Sequence, residues 1–240
     1  MDKVFVIGWQ KTGTTTITRI LSDLGFRSIH TPVKLICNEW YPDGAPEGKK
    51  MNFDIDNFRL RLNYFTQEYD AFSDNPICLE KYLPVIADEY PDAAFIYTSR
   101  DIKPWSRSAF LHLHSSRTYN IFRRRLELYT NYSPKNGIYA SSDPLGLSEY
   151  IYGNAYPYIT VNNLKQSYRR HQKTVYDIFK GLSNFLEVDF SADVNISKIP
   201  TFLGLKDKKI QSIPHLNSRK KSFLEVGKAN YRSVVKKLVR

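Results

Sequence analysis

The sequence predicts an α/β fold: a three-layer arrangement in which a parallel sheet is flanked by helices on both faces. Two observations predict it. Short β-prone runs alternate along the chain with segments whose apolar residues recur at helical spacing. The polar loops at 8–16 and 100–105 each follow such a run directly. In a parallel sheet, loops of that kind gather at the carboxyl edge, where ligands bind.

The elements follow in order. Residues 4–7 read as a buried strand that ends at Gly8. Ile17, Ile20, Leu21 and Leu24 mark one face of a helix, which Gly25 closes. Residues 27–30 read as a short second strand, and 31–53, rich in Pro, Gly and Lys, as a loop. Ile55, Phe58, Leu62 and Phe65 put one apolar face on a helix over 54–70. Residues 71–76 read as a turn. A helix is expected over 81–89, with Pro84 near its start, where proline is tolerated. Residues 94–99 form a buried-type strand, 100–104 turn the chain, and 105–113 read as a helix. A further helix over 119–129 would carry Arg123, Arg124 and Arg125. Residues 131–160 combine Gly, Pro, Asn and many tyrosines with weak periodicity and read as an irregular insertion. A helix over 164–179, a strand over 185–190 and a short helix over 194–203, stopped by Gly204, complete one domain spanning 1–240.

Net charge is +11, but residues 206–240 alone carry +9, which leaves +2 for the rest. Basicity therefore belongs to a C-terminal segment rather than to the domain, and that segment could touch anionic surfaces peripherally. The cysteines, Cys37 and Cys78, are too few for a disulfide framework, so a reducing compartment is expected. No Cys/His cluster has zinc spacing, and no metal is expected. The chain has no apolar run approaching a membrane span, and Met1-Asp2-Lys3 leads straight into a strand. A soluble, cytoplasmic protein is expected.

Chemistry concentrates in Gly8-Trp9-Gln10-Lys11-Thr12-Gly13-Thr14-Thr15-Thr16. A strand, this loop and a helix N-terminus aim backbone N–H groups, one cation and several hydroxyls at one point, which suits a phosphate. The nucleoside-triphosphatase loop G-x-x-x-x-G-K-[ST] is not matched. Gly8 and Gly13 have its spacing, but Lys11 precedes Gly13, and Thr14 stands where that motif needs lysine.

The segment from Gly8 to Thr15 resembles the 5′-phosphosulfate loop of the P-loop-like sulfotransferases, which use 3′-phosphoadenosine-5′-phosphosulfate (PAPS). That family's second hallmark is a strand ending in Arg with a Ser several residues on. Arg100 and Ser108 stand in those places. Glu187-Val188-Asp189-Phe190-Ser191, Phe202-Leu203-Gly204-Leu205 and Ile213-Pro214-His215-Leu216-Asn217 also resemble a bacterial-type branch. The resemblance does not cover about 112–160. It implies a PAPS-dependent sulfotransferase that leaves the product PAP, adenosine 3′,5′-bisphosphate. Gln10, Lys11, Thr12, Gly13, Thr14, Thr15 and Thr16 would lie at the 5′-phosphosulfate, with Arg100 and Ser108 at the 3′-phosphate. A late basic loop, Arg219-Lys220-Lys221, would reach the same 3′-phosphate. Transfer would be in line, with Lys11 stabilising the leaving phosphate and no metal required. The insertion would face the acceptor, a small molecule or carbohydrate, and no nucleic-acid partner is expected.

The acceptor hydroxyl must lose a proton. Candidates for that base are His30 at a strand end, Asp74 and Asp70 in the mid-chain turn, and Glu80, with Lys81 as a second cation. An aspartate before Asn75-Pro76 is equally well read as a turn former. His171, among Arg169, Arg170 and Lys173, reads as structural or exposed. Two other classes fit less of the sequence: a nucleotide kinase or NTPase with a degenerate loop, and a nucleic-acid or membrane-surface binder driven by the tail.

Overall fold

The computed structural model describes residues 2–37, 53–113, 147–153, 159–191, 195–208 and 210. Its strands are β1 (Val4–Val6), β2 (Ser28–His30), β3 (Ala71–Ser73), β4 (Ala94–Ser99) and β5 (Phe185–Asp189). All the pairings are parallel, in the order β2-β3-β1-β4-β5. The helices are α1 (Thr14–Asp23), α2 (Val33–Ile36), α3 (Ile55–Phe65), α4 (Leu83–Glu89), α5 (Ile102–Leu113), α6 (Leu147–Tyr152), α7 (Val161–Phe179) and α8 (Lys198–Phe202). A 3-10 turn over Asn195–Ser197 precedes α8.

Strand alternation splits the core in two. Phe5, Phe72 and Phe95 are aligned across β3, β1 and β4 and stack at centroid distances of 5.6 and 6.1 Å. They join Phe58 and Leu62 of α3, Leu83 and Ile86 of α4, Trp105 of α5 and Leu164 and Phe179 of α7. Val4, Val6, Ala71, Ala94 and Ile96 pack on the other face with Ile17, Ile20 and Leu21 of α1 and Ile199 of α8. Helices therefore cover both faces, as the element alternation requires.

Local signals fix the helix starts. The Asp54 carboxylate accepts from the backbone N–H groups of Asp56 and Asn57 at 2.8 and 3.2 Å, which caps α3. Thr160 and Asn163 form a reciprocal capping box that starts α7 three residues before the expected 164. Thr66 ends α3 sooner than the expected 70. Helix α5 begins at Ile102, ahead of the expected 105. Helix α2 falls within the stretch expected to be loop.

The main correction is β3. Residues 71–73 were expected in a turn, yet they form a fully buried strand between β1 and β2. The turn begins only at Asp74, which has a φ of 64° and precedes a cis Asn75–Pro76 bond. The strand order makes this placement matter. The chain leaves β1 toward β2 on one side and leaves β4 toward β5 on the other. The crevice between those departures, at the carboxyl ends of β1 and β4, is the switch point where such sheets bind ligands. The loops carrying Lys11 and Arg100 both open there. The helix expected over 119–129, with Arg123 to Arg125, lies outside the described residues, as does all of the basic segment beyond Ile210.

Candidate active site

Loops after β1, β2 and β3 meet at the carboxyl edge, and each holds a non-glycine residue with positive φ: Lys11 at 67°, Thr31 at 54° and Asp74 at 64°. Left-handed backbone costs an L-residue about 1–2 kcal/mol. Its concentration on one edge points to a constraint set by function.

The β1 loop is held rigidly. The Thr12 N–H donates to the Trp9 carbonyl at 3.2 Å, and the Thr12 hydroxyl lies 2.5 Å from that carbonyl and 2.6 Å from Thr98 Oγ1 on β4. Gly8 backs onto the same threonine: a Cβ there would sit 1.7 Å from Thr98 Oγ1. Gly13, with a φ of 109°, is the N-cap of α1, which has neither a side-chain cap nor an acidic residue in its first turn. The positive end of the α1 dipole is thus offered along the helix axis. A Cβ on Gly13 would meet the Phe190 ring at 2.6 Å, so the bare backbone is needed to keep this concave loop open. Among the described residues, this cradle fits an anionic phosphosulfate.

The second loop is tied to the first. Tyr168 accepts from the Arg100 N–H and donates to the Arg100 carbonyl, both at 2.9 Å. Its ring stacks on Trp105 at 4.4 Å, and the Trp105 indole N–H donates to the Gln10 carbonyl at 2.8 Å. The Gln10 amide donates to the Tyr152 hydroxyl at 2.9 Å. Gln10, Trp105, Tyr168 and Arg100 form one connected brace across the switch point. Ser108 lies half-buried further along α5. Arg219 and Lys220 lie outside the described residues.

The threonines divide their roles. Thr12 and Thr14 are 1% and 2% exposed, and the Thr14 hydroxyl donates inward to Asp74 Oδ2 at 3.1 Å. Thr16 is buried as well. Thr15 is half-buried, and its hydroxyl lies 3.0 Å from His30 Nε2. His30 Nδ1 lies 2.9 Å from Ser73 Oγ. The His30 side chain keeps 30% of its surface exposed and stands 3.7 Å from Asp74 Oδ2. Asp74 Oδ1 accepts from the Asn75 backbone and side-chain N–H groups at 2.8 and 2.9 Å. His30 and Asp74, expected near the loop, are brought to it.

Other candidates are placed elsewhere. Asp70 precedes β3 and so lies at the amino edge, away from the loop. Arg27 holds it through bonds of 2.6 and 2.8 Å, and this pairing, with help from Lys3, pushes its carboxyl well below the usual range. Glu80 pairs with Arg170 at 2.6 Å. The Lys81 ammonium lies over the Tyr82 and Tyr150 rings at 5.1 and 4.9 Å. Cys37 and Cys78 are buried, and burial drives both thiols up, Cys37 to about 12. His171 is fully buried, with Nε2 3.0 Å from the Ile7 carbonyl and its ring against Trp9 at 4.6 Å. It is structural rather than exposed, and burial lowers its pKa to about 3.

Sequence reasoning missed Thr98, Trp105, Tyr152, Tyr168 and Ser73, whose roles need tertiary contact to be visible. Among the described residues, no group of three His, Cys, Asp or Glu is placed to hold a metal, and no helix is long and apolar enough to cross a membrane. A cavity of about 640 Å³, lined by Asp2, Lys3, Tyr90, Asp92 and Asn184, includes none of the β1-loop residues.

Comparisons with known proteins bear on the fold and on the family. A crystal structure of a sulfotransferase from Alicyclobacillus acidocaldarius matches 96% of this chain and 90% of that one, with a TM-score of 0.50 and 17% identity, which is a likeness of fold. No curated protein matches the chain. The family described as "Sulfotransferase domain" matches residues 3–222, and the chain belongs to that sulfotransferase family.

Proposed function

We propose that this sulfotransferase takes its sulfuryl group from PAPS and passes it in line to an acceptor hydroxyl, with no metal. The observation that carries the reading is the brace from Gln10 through Trp105 and Tyr168 to Arg100. It holds two cationic loops at one switch point, matching a ligand with an anionic group at each end of a nucleoside. Bound PAPS supplies a sulfuryl group on a phosphate leaving group.

The chain's own residues do the rest. Lys11, with the α1 N-terminus, places positive charge where the leaving oxygen becomes anionic. The Arg100 guanidinium offers a planar fork for the 3′-phosphate, and Ser108 a hydroxyl. By resemblance to the sulfotransferase family, Arg219 and Lys220, outside the described residues, are assigned to that phosphate as further cations. His30 accepts the acceptor proton at Nε2, and the nearby Asp74 carboxylate stabilises the imidazolium. Asp74 itself already accepts three hydrogen bonds, from Thr14 and from two Asn75 groups, and serves better as an orienter than as the base. Tyr150 is 38% exposed and stacks on Phe53 at 4.5 Å. With Phe53 and the Lys81 ammonium both against that ring, it offers a carbohydrate acceptor its exposed edge and hydroxyl rather than a free face.

PAP is expected to raise the melting temperature without magnesium, and Arg100→Ala to remove most of that rise. No shift at saturating PAP would overturn the donor assignment.

A further inference from the structure

We infer that Ser73 and Thr18 are positioning residues for His30: they fix its proton on Nδ1 and leave Nε2 as the basic nitrogen. This inference rests on the proposed role of His30 in sulfuryl transfer, but its structural part stands on hydrogen-bond accounting alone.

A hydroxyl owns one hydrogen. Thr18, on α1, lies 2.8 Å from the Thr14 carbonyl, an acceptor only, and spends its hydrogen there. Thr18 Oγ1 also lies 2.5 Å from Ser73 Oγ, within hydrogen-bond reach. The one Ser73 hydrogen goes to Thr18 Oγ1 or to the Ile29 carbonyl, an acceptor only at 3.3 Å, and in neither case is it left for the imidazole. Ser73 Oγ must then accept from the imidazole 2.9 Å away, so His30 carries its proton on Nδ1. At the far side of the ring, the Thr15 hydroxyl at 3.0 Å donates to the Nε2 lone pair. The network then runs from Nδ1–H to Ser73 and from Thr18 to the Thr14 carbonyl, with Thr18 Oγ1 and the Ile29 carbonyl as the two acceptors for the Ser73 hydrogen and Thr18 Oγ1 a further 3.4 Å from Nδ1.

The reversed arrangement puts the proton on Nε2. Ser73 then donates to Nδ1, Thr18 must turn to Ser73, and the bond to the Thr14 carbonyl is lost. The Nε2 proton would meet Thr15 Oγ1 at 3.0 Å rather than Asp74, whose Oδ2 at 3.7 Å lies beyond hydrogen-bond reach, so the two arrangements differ on the Ser73 side, where the carbonyls of Thr14 and Ile29 would lose their hydroxyl donors. The favoured direction also suits catalysis. Nε2 is the nitrogen nearer Asp74, so a proton taken there is stabilised by the carboxylate as it arrives. Ser73 is 1% exposed and belongs to β3, so the relay is anchored in the sheet.

The test is a long-range 1H–15N correlation spectrum of 15N-histidine-labelled protein, at a pH where the His30 ring is neutral, with His30→Gln identifying the signal. The expected result is a protonated Nδ1 and an unprotonated Nε2. A protonated Nε2 in the wild-type protein would overturn the inference even if sulfate transfer is robust. Loss of PAP binding or of sulfate transfer, with the expected tautomer present, would instead overturn the function on which it rests. Thr18→Val and Ser73→Ala are expected to mix the tautomers and to lower kcat roughly tenfold or more with the donor KM little changed. Thr18→Ser, which keeps the hydroxyl, is expected to restore both signal and rate. Wild-type tautomer and rate in Thr18→Val and Ser73→Ala would refute the relay.

Discussion

Gly13→Ala tests the proposed phosphate loop at its tightest point. The substitution meets two penalties. Its backbone has a φ of 109°, and an L-residue held at positive φ costs about 1–2 kcal/mol. The new methyl would also stand 2.6 Å from the Phe190 ring, and overpacking of that kind costs about 1–3 kcal/mol. Phe190 is only half-buried, so its ring can swing aside, and the lower half of the combined range is expected. For a chain of this length each kcal/mol lowers the melting temperature by about 2–4 °C, so a fall of about 5–10 °C should appear in a thermal melt followed by circular dichroism. Adding Phe190→Ala removes the contact but leaves the backbone penalty, so the double mutant should recover part of the destabilisation assigned to Gly13→Ala, and a double-mutant cycle isolates that share. PAP should no longer raise the melting temperature of Gly13→Ala. A variant that melts within about 1 °C of wild type and still responds fully to PAP would refute the reasoning.

Three further outcomes are expected. Lys11→Ala should lower kcat about 10²–10³-fold while the fold persists, measured as sulfate transfer from labelled PAPS; full activity would remove Lys11 from the chemistry. Trp105→Phe keeps the ring on Tyr168 but deletes the N–H donated to the Gln10 carbonyl, so it should cost about 1 kcal/mol of stability and weaken PAP binding, read by titration calorimetry. His171 stays neutral in the fold down to about 3, whereas the unfolded chain protonates it near 6.5. Between those values the unfolded state binds more protons, so stability falls on acidification by on the order of 1 kcal/mol per pH unit. Asp70, whose folded-state pKa is lowered, adds to the loss once pH drops below 3.8. His171→Gln should show a shallower fall in melting temperature between pH 6.5 and 4, and an unchanged slope would argue against a buried neutral imidazole.

The parallel sheet and the position of the β1 loop were legible because their signals are local. Lys11 and Gly13 sit within one turn, and the apolar faces of α1, α3 and α7 repeat at helical period. The position of Arg100 at a strand end was legible because a six-residue buried strand ends just before it. β3 was not legible. Three residues are too few to show alternation, and Asp70 and Asp74 on either side look like turn formers. That miss hid Ser73, and with it the surroundings of His30. The brace was hidden for a different reason: Trp105 and Tyr168 read as core aromatics, and they are core aromatics, but each also spends one polar atom on a loop backbone. Asp70 and Asp74 look equivalent in sequence. Only the direction of β3 separates them, sending one to the amino edge with Arg27 and the other to Thr14 beside the β1 loop.

The central claim is a clamp with a cation at each end of the donor, and the most direct measurement compares PAP with adenosine 5′-monophosphate by calorimetric titration of the wild-type protein and of Arg100→Ala. One charge-assisted contact to the 3′-phosphate is worth about 1.5–3 kcal/mol, so PAP should bind wild type roughly 10- to 150-fold more tightly than the monophosphate. Arg100→Ala should erase most of that gap while leaving monophosphate affinity nearly unchanged. Equal affinities for the two nucleotides in wild type, or a gap that survives Arg100→Ala intact, would contradict the two-ended clamp.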